Sequence, residues 1–374
     1  MNFASSEISI PPASAQMEVT LFGLGVGESI ACHLPGGCWI IVDSCRSTNM
    51  SEPVAIWYLK NLGVDVARDV RLVVATHWHD DHIKGLADTL MECRRAAFCC
   101  ASVLTHSEFL ATANVLNSNN SLKGGSGTRE IMAVHELLNK DFGRSPSLRA
   151  IQNRLLWPMT KDEAEELRAH VWSLSPSDAE YELFLQRISS EMPGVRAPKY
   201  RIPSQGPNNT AVVLLVESEQ SCALLGADLE ERGDNRTGWA AVLSSRLALA
   251  KPAACFKVPH HGSINAHNDT VWSGHVASNA LAVLTPYGRG RKRLPSVEDI
   301  SRISGLTDRA YRAGRLSRTD ARSYSNAVEK TIREAGVVFR EYTAGLGVVR
   351  CRESLGPTDA WEVELFGDAS KLGQ

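Results

Sequence analysis

The feature that most constrains this chain is a group of histidines and aspartates within six consecutive residues. The group comprises His77, His79, Asp81 and His82, with Asp80 between them. The whole chain of 374 residues contains only 11 histidines, so three at this spacing are hard to obtain by chance. Imidazole and carboxylate groups are the ligands that first-row divalent metal ions take in proteins. The group therefore predicts a metal site.

The segments on either side of this histidine cluster predict how it is presented. Residues 71–76 form a short apolar run, rich in β-branched side chains, which is typical of a strand buried on both faces. Residues 83–95 have apolar side chains at helical spacing. We therefore expect the ligands in a turn between a strand and a helix. Because the backbone changes direction there, the side chains can face two neighbouring points, which suits two metal ions a few ångströms apart.

Two later segments repeat this arrangement of a hydrophobic strand followed at once by ligand-type side chains. Residues 222–227 lead into Asp228, and residues 255–259 lead into His260 and His261. Strand ends converge at one edge of a sheet, where the active sites of layered α/β folds are built. Asp228 is the natural carboxylate to bridge two ions, because a buried acid between two cations stays ionised.

Several motifs follow one another along the chain in a specific order. They are Asp43 after the apolar residues 40–42, the histidine cluster, Asn208 and Asn209 before a predicted strand at 211–216, Gly226-Ala227-Asp228, and Val258-Pro259-His260-His261-Gly262-Ser263. In this order they resemble the metallo-β-lactamase superfamily, and most closely the hydrolase domain of ComEC-like competence proteins, which take up DNA. The resemblance covers residues 17–106 and 205–290.

The resemblance implies a role for each ligand-type side chain. His77 and His79 would hold a first metal ion, and Asp81 and His82 a second. Asp228 would bridge the two ions, and Asp81 and Asp228 would both be catalytic. The two divalent ions would be zinc or manganese.

The last ligand comes from the adjacent histidines His260 and His261, either of which can be the one that binds metal. The resemblance favours His261, also as a catalytic residue, since the closing ligand of the superfamily directly precedes a glycine. Asp43 would accept a hydrogen bond and orient the metal-binding turn. The superfamily commonly has one more histidine, for which His106 is the candidate. His135 and His170 are predicted to lie inside a helix and a strand.

The pattern of strands and helices predicts an α/β fold in which two sheets pack face to face with helices outside. This is the four-layer αββα metallo-β-lactamase sandwich, here with a mostly helical insertion. We expect a single domain over residues 1–374, flexible at 1–16, with the partly helical insertion at 107–205. Helices are predicted at 52–61, 83–95, 107–116, 128–141, 178–190, 237–249, 296–305 and 325–335. Further strands are predicted at 17–22, 39–42, 103–106, 281–285, 336–342 and 347–350.

Composition limits the classes of function. A net charge of −2 argues against a protein that coats nucleic acid through bulk electrostatics. No apolar run approaches the ~20 residues that cross a bilayer, and residues 1–16 do not resemble a secretory signal. The nine scattered cysteines are typical of reduced thiols rather than of a disulfide framework. We therefore expect a cytoplasmic protein without a membrane association.

The expected function is a dinuclear metal-dependent hydrolase, above all a phosphodiesterase or nuclease acting on nucleic acid or nucleotides through a water that bridges the ions. The candidates for substrate contact are Lys257, Ser263, Tyr287, Arg289 and Arg291. The cations at 289–293 can hold phosphate groups or form a solvated loop, and Lys257, Ser263 and Tyr287 can instead support the strand ends.

Two alternative functions remain open. One is a metal-dependent acyl hydrolase acting on a lactone, thioester or β-lactam, since attack on a carbonyl carbon needs the same site. The other is a non-catalytic partner in a bacterial defence or DNA-processing system. The insertion at 107–205 is the candidate for a substrate lid or for a surface that binds a protein partner.

Overall fold

The structure is a computed structural model. It describes residues 6–47, 50–105, 126–141, 144, 147–163, 169–191, 206–245, 251–289, 292–315, 345–355 and 360–374. Several sequence predictions fall outside these residues, namely the helices at 107–116 and 325–335, the strand at 336–342, His106 and Arg291.

Eight strands form the first sheet, and the strands are numbered along the chain. They are β1 (Glu18–Gly23), β2 (Glu28–Leu34), β3 (Cys38–Val42), β4 (Val70–Ala75), β5 (Ala97–Ala101), β6 (Leu148–Ala150), β16 (Gly347–Glu353) and β17 (Trp361–Gly367). Their order across the sheet is β17-β16-β1-β2-β3-β4-β5-β6. The neighbours from β3 to β6 are parallel, so the carboxyl ends of β3 and β4 lie at the same edge.

Eight further strands form the second sheet. They are β7 (Arg154–Trp157), β8 (Ala169–Ser173), β9 (Leu214–Ser218), β10 (Cys222–Leu225), β11 (Ala253–Lys257), β12 (Val276–Leu284), β15 (Ala310–Arg312) and β18 (Ser370–Lys371). Their order is β18-β15-β12-β11-β10-β9-β8-β7, and β10, β11, β12 and β15 are parallel neighbours. A separate hairpin, β13 (Tyr287–Arg289) with β14 (Lys292–Leu294), follows β12.

Helices cover the outer face of each sheet. They are α1 (Val54–Asn61), α2 (Val66–Asp69), α3 (Asp80–Ile83), α4 (Leu86–Glu92), α5 (Ser126–Lys140), α6 (Asp178–Glu191), α7 (Gly238–Leu243), α8 (Asp269–Gly274) and α9 (Val297–Leu306). The side chains of α1, α4 and α5 join the core that contains the first sheet, and those of α7, α8 and α9 pack on the second.

Side chains alternate between the two faces of the second sheet, as the pleat of a strand requires. Leu214 and Leu225 pack against the first sheet, whereas Leu215 and Leu224 pack toward the helices. Both faces are therefore buried, which accounts for the nearly continuous apolar runs of the central strands. The predicted sandwich of two sheets between helices is confirmed.

The segment 107–205 contributes to both sheets in its described part. It contains α5 and α6, as predicted, and places His135 in a helix and His170 in a strand. It also contains β6, which extends the first sheet, and β7 and β8, which extend the second. The segment thus widens the sandwich as well as adding helices, and its limits at 107 and 205 stay a prediction.

Two local predictions are wrong. The single helix predicted at 83–95 is interrupted, because Gly85 has a φ of 88°, which is a left-handed conformation that ends a helix and suits glycine. The strand predicted at 103–106 is also wrong. Residues Ser102–Thr105 form a 3₁₀ helix directly after β5, so the strand in this region ends earlier than predicted.

All nine cysteines are buried, and none forms a disulfide. Of the helices that the structure describes, none combines the length and the apolar character needed to pass through a bilayer.

The two sheets come into backbone contact at Gly23, the last residue of β1. A Cβ atom at this position would lie 1.9 Å from the carbonyl oxygen of Ala313, which follows β15 in the other sheet. We predict that Gly23→Ala lowers the free energy of unfolding by at least about 2 kcal/mol, because overpacking against backbone cannot relax by a change of rotamer. Urea denaturation of the variant and the wild type measures the change in the free energy of unfolding.

The matched control is Gly274→Ala at the end of α8, where a Cβ atom would meet nothing within 4 Å among the described residues. It should change the free energy of unfolding by less than about 1 kcal/mol, within the range of helix propensities. If both variants lost the same free energy of unfolding, the result would contradict this close approach of the two sheets.

Candidate metal centre

Strand ends from both sheets place ligand-type side chains at one edge of the sandwich. Asp43 follows β3, and the histidine cluster begins two residues after β4. Asp228 follows β10 by three residues. The backbone is left-handed at four non-glycine positions in the turns after β3, β10 and β11, with φ of 58° at Asp43, 46° at Ala227, 47° at His260 and 54° at His261. Such strained conformations cluster at functional sites, where the surrounding structure must hold them.

The first group of ligand atoms belongs to His77 and His79. Nε2 of His77 lies 3.1 Å from Nδ1 of His79 and 3.9 Å from Oδ2 of Asp228. Two nitrogens bound to one tetrahedral zinc ion at 2.0–2.1 Å lie about 3.3 Å apart. The observed spacing of the two nitrogens therefore suits one shared ion.

The second group comprises Asp81, His82 and His261. Oδ2 of Asp81 lies 3.3 Å from Nε2 of His261 and 3.8 Å from Nε2 of His82. His82 and His261 are buried, and Asp81 retains a side-chain exposure of 10%. One carboxylate and two imidazoles at these distances can hold a second divalent ion.

Asp228 lies between the two groups. Its Oδ2 atom is 3.4 Å from Nε2 of His82, 3.6 Å from Nε2 of His261 and 3.9 Å from Nε2 of His77. The residue is 2% exposed. A single carboxylate oxygen thus lies close to imidazoles of both groups, which is the position of a bridging ligand.

Asp43 fixes the turn that contains the histidine cluster. Its Oδ1 accepts a hydrogen bond from the backbone N–H of Thr76, and its Oδ2 accepts one from the Thr76 hydroxyl, both at 2.7 Å. Nδ1 of His82 also donates to Oδ2 of Asp43, at 2.7 Å. Because Nδ1 of His82 is bound to Asp43, its Nε2 is the ring nitrogen that faces Asp81 and Asp228, and a metal ion would take the place of a proton there. With three hydrogen bonds accepted, Asp43 is placed to orient ligands rather than to be one.

The adjacent histidines point in different directions. Nδ1 of His261 donates to the carbonyl oxygen of Thr285 at 3.1 Å, which leaves Nε2 facing Asp81. Nδ1 of His260 lies 3.1 Å from both Glu230 Oε1 and Asn265 Oδ1, away from the ligand groups. The structure therefore favours His261 over His260 as the metal ligand.

Burial and neighbouring charges shift the pKa values of the site. Burial alone would raise the pKa of Asp228, but the positive charges of His82 and His261 outweigh it and hold this pKa well below its ordinary value. Burial also lowers the pKa of His77, and the nearby His82 adds to this effect. Asp228 in its ionised form and His77 in its neutral form are both in the state that metal binding requires.

The sequence predicts either substrate contact or support of the strand ends for Lys257, and the structure argues against substrate contact. Its side chain is fully buried. The ammonium group lies 2.7 Å from Oε1 of Glu28 and donates to the carbonyl oxygen of Ala227 at 2.7 Å. Because a buried and paired ammonium cannot meet a substrate, Lys257 supports the strand ends instead.

The other candidates for substrate contact lie around the site or beyond the described residues. Ser263 is largely buried in the turn after His261. Tyr287 is half-buried and stacks on the ring of His261, with ring centroids 5.2 Å apart. Arg289 lies in β13, where its backbone alone is described, and Arg291 is outside the described residues.

Sequence reasoning missed Glu28 and Thr285, which support the site from behind. Glu28 is 1% exposed and pairs with Lys257, and its other oxygen accepts a hydrogen bond from the Thr285 hydroxyl. A signal was present, since Glu28 and Lys257 each place a charge in an apolar strand. Two such charges must pair when they are buried.

The chemistry of this side-chain set fits divalent metal ions. Within the described part of the chain, no hydrogen-bond partner reaches Nε2 of His82 or Oδ1 of Asp228, although both atoms are buried. An unsatisfied buried polar atom costs about 1–3 kcal/mol, which coordination of an ion by these residues would offset. Imidazoles and carboxylates without thiolate suit zinc, manganese or iron.

Comparisons with known proteins give structural likenesses. No protein-family model matches the chain, and no curated protein matches it. Among solved structures it is similar to the metallo-β-lactamase fold protein YhfI from Bacillus subtilis, with a TM-score of 0.38 and 10% identity, covering 79% of this chain and 95% of that one.

Two further solved structures are metallo-β-lactamases by name. One is MEM-A1, a subclass B3 enzyme from a soil metagenome library, with a TM-score of 0.34 and 13% identity over 69% of this chain and 83% of that one. The other is SMB-1 bound to 2-mercaptoethanesulfonate, with a TM-score of 0.34 and 13% identity over 71% and 86%. The side-chain geometry above, and not these likenesses, supports a metal site.

We predict that Asp43→Asn lowers the affinity for zinc by about 10–100-fold, as loss of a group that orients metal ligands typically does. An amide has one acceptor oxygen, and its NH₂ group would face the donors on Thr76 and His82. Competition with a chromophoric chelator measures the affinity. Asp308→Asn is the matched control, because Asp308 is exposed just before β15, and it should bind zinc as the wild type does. Equal affinities for Asp43→Asn and wild type would show that Asp43 does not orient the ligands.

Proposed function

We propose that this chain is a dinuclear metal-dependent hydrolase of the metallo-β-lactamase superfamily that cleaves phosphodiester bonds in nucleic acid or nucleotides. The observation that carries the proposal is the position of Asp228 Oδ2, within 3.9 Å of imidazole nitrogens from both ligand groups. The order of motifs around His77, Asp228 and His261 supports the superfamily, and the paired Asn208 and Asn209 support a relation to its ComEC-like branch.

The protein's own side chains would bind and orient the ions. His77 and His79 would hold one, Asp81, His82 and His261 the other, and Asp228 both. Two divalent ions, when bound, supply the positive charge that stabilises the attacking and the departing oxygen of a displacement.

We assign the catalytic role to Asp81, Asp228 and His261. Nε2 of His261 lies 3.3 Å from Oδ2 of Asp81 and 3.6 Å from Oδ2 of Asp228, so the three surround one point of the site. Burial would raise the pKa of Asp81, but the hydrogen bond from His261 and the charge of His82 outweigh it and lower this pKa. Both acids therefore stay ionised at neutral pH and can draw cations into the site.

The choice of a phosphodiester rests on the hairpin of β13 and β14. Tyr287 at its start stacks on His261, which ties the hairpin to the edge of the metal site. The hairpin contains Arg289, Lys292 and Arg293, and Arg293 is exposed. Cations beside a dinuclear site would recognise the phosphate groups that flank a cleaved bond.

We predict that Asp228→Asn reduces phosphodiester hydrolysis by at least about 100-fold, because an amide does not supply the charge that holds two ions together. The assay compares bis-p-nitrophenyl phosphate, single-stranded DNA and plasmid DNA with acyl esters and lactones, after reloading of chelated protein with zinc or manganese. Asp308→Asn, which keeps the ligand set intact, should retain wild-type turnover.

The same assay separates the competing functions. Acyl turnover without cleavage of any phosphodiester would overturn the substrate class. If the metal-loaded wild type turns over neither class, the chain is better described as a non-catalytic partner.

A further inference from the structure

A buried glutamate of the first sheet lies behind the metal centre. Glu28 begins β2 and is 1% exposed, although no ligand group includes it. It faces two residues of the second sheet, Lys257 at the end of β11 and Thr285 directly after β12, which are both fully buried. All three residues are thus sequestered from solvent between the sheets.

Each carboxylate oxygen of Glu28 binds one of these residues. Oε1 lies 2.7 Å from Nζ of Lys257, and Oε2 accepts a hydrogen bond from the hydroxyl of Thr285. Because both oxygens are in use, the orientation of the carboxylate is fixed. Glu28 therefore ties together the ends of two neighbouring parallel strands.

Lys257 connects Glu28 to the bridging acid. Its ammonium donates to the carbonyl oxygen of Ala227 at 2.7 Å and lies 3.6 Å from Oδ1 of Asp228. Ala227 has a φ of 46°, a conformation that costs free energy in a residue with a Cβ atom. The bond from Lys257 thus stabilises the strained turn that presents Asp228.

Thr285 connects Glu28 to the closing histidine. Nδ1 of His261 lies 3.0 Å from the hydroxyl oxygen of Thr285 and 3.1 Å from its carbonyl oxygen, so its proton is shared by two acceptors. The Thr285 hydroxyl can accept this proton because its own proton is donated to Glu28. The chain of contacts leaves Nε2 of His261 facing the ligand groups.

We propose that Glu28 is a positioning residue for the metal centre, acting through Lys257 on Asp228 and through Thr285 on His261. The inference rests on the proposed function, because it takes Asp228 and His261 as metal ligands. Glu28 would orient Asp228 and His261 as Asp43 orients the histidine cluster. The main effect of Glu28 would be on the ion held by Asp81, His82 and His261.

Glu18 provides a matched comparison in the same sheet. It begins β1, is fully buried, pairs with Nε of Arg352 at 2.7 Å and accepts a hydrogen bond from Tyr58 at 2.8 Å. In the pairing of β1 with β2, Glu18 lies opposite His33 at one end, whereas Glu28 lies at the other end. Glu18 is therefore an equally buried and paired glutamate remote from the metal centre.

The experiment titrates Co²⁺ into chelated wild type, Glu28→Gln and Glu18→Gln, with competition by a chelator and visible absorption as the readouts. We expect Glu28→Gln to bind the ion held by Asp81, His82 and His261 at least about tenfold less tightly and to change the absorption spectrum of bound Co²⁺. Without its counterion, Lys257 would move toward Asp228 and compete with the ion. Glu18→Gln should keep the wild-type spectrum and affinities, whatever its loss of stability.

A second pair of variants serves if Glu28→Gln fails to fold. Thr285→Val removes the hydroxyl between Glu28 and His261 while keeping the shape, and should weaken the same ion. Thr285→Ser keeps the hydroxyl and should restore binding. The proposal would be overturned if Glu28→Gln or Thr285→Val bound Co²⁺ with wild-type affinity. It would also be overturned if Glu18→Gln lost as much affinity for Co²⁺ as Glu28→Gln. A wild type that takes up one ion or none would instead overturn the proposed dinuclear function.

Discussion

The charge of one buried carboxylate, Asp228, has to be compensated by the side chains that surround it. An acid that is 2% exposed must be compensated, because an isolated charge in a protein interior is costly. Lys257 lies 3.6 Å from one of its oxygens, and imidazoles of His77, His82 and His261 surround the other. Two bound cations would complete this compensation, which explains why neutral and basic ligands from separate strand ends meet at this acid.

The sandwich fold supplies the means of bringing these groups together. Parallel strands in each sheet end at the same edge, so residues that follow β3, β4, β10, β11 and β12 become neighbours. Two acids of the first sheet, Asp43 and Glu28, lie behind the ligands that these turns present. The candidate metal centre therefore lies between the sheets, and its geometry depends on contacts that cross from one sheet to the other.

Local sequence patterns were sufficient to predict which histidines and acids meet at this edge of the sandwich, and insufficient for the residues that support them. The histidine cluster and Asp228 begin within three residues of the end of a hydrophobic strand, so spacing along the chain reveals them. Glu28 and Thr285 are 257 residues apart, and their contact depends on how the two sheets face each other, which a single sequence does not display. The sequence could not decide between substrate contact and support of the strand ends for Lys257 for the same reason, since its partner Glu28 is on the opposite sheet. The break at Gly85 was missed because helical spacing continues across it.

The most direct test is anomalous X-ray diffraction from crystals of the wild-type protein grown with zinc or manganese. The account predicts two peaks about 3.5–4 Å apart, as in other two-ion sites. One peak should lie beside His77 and His79, the other beside His82 and His261, with Asp228 within coordination distance of both. A single peak, or ions bound away from Asp228, would contradict it.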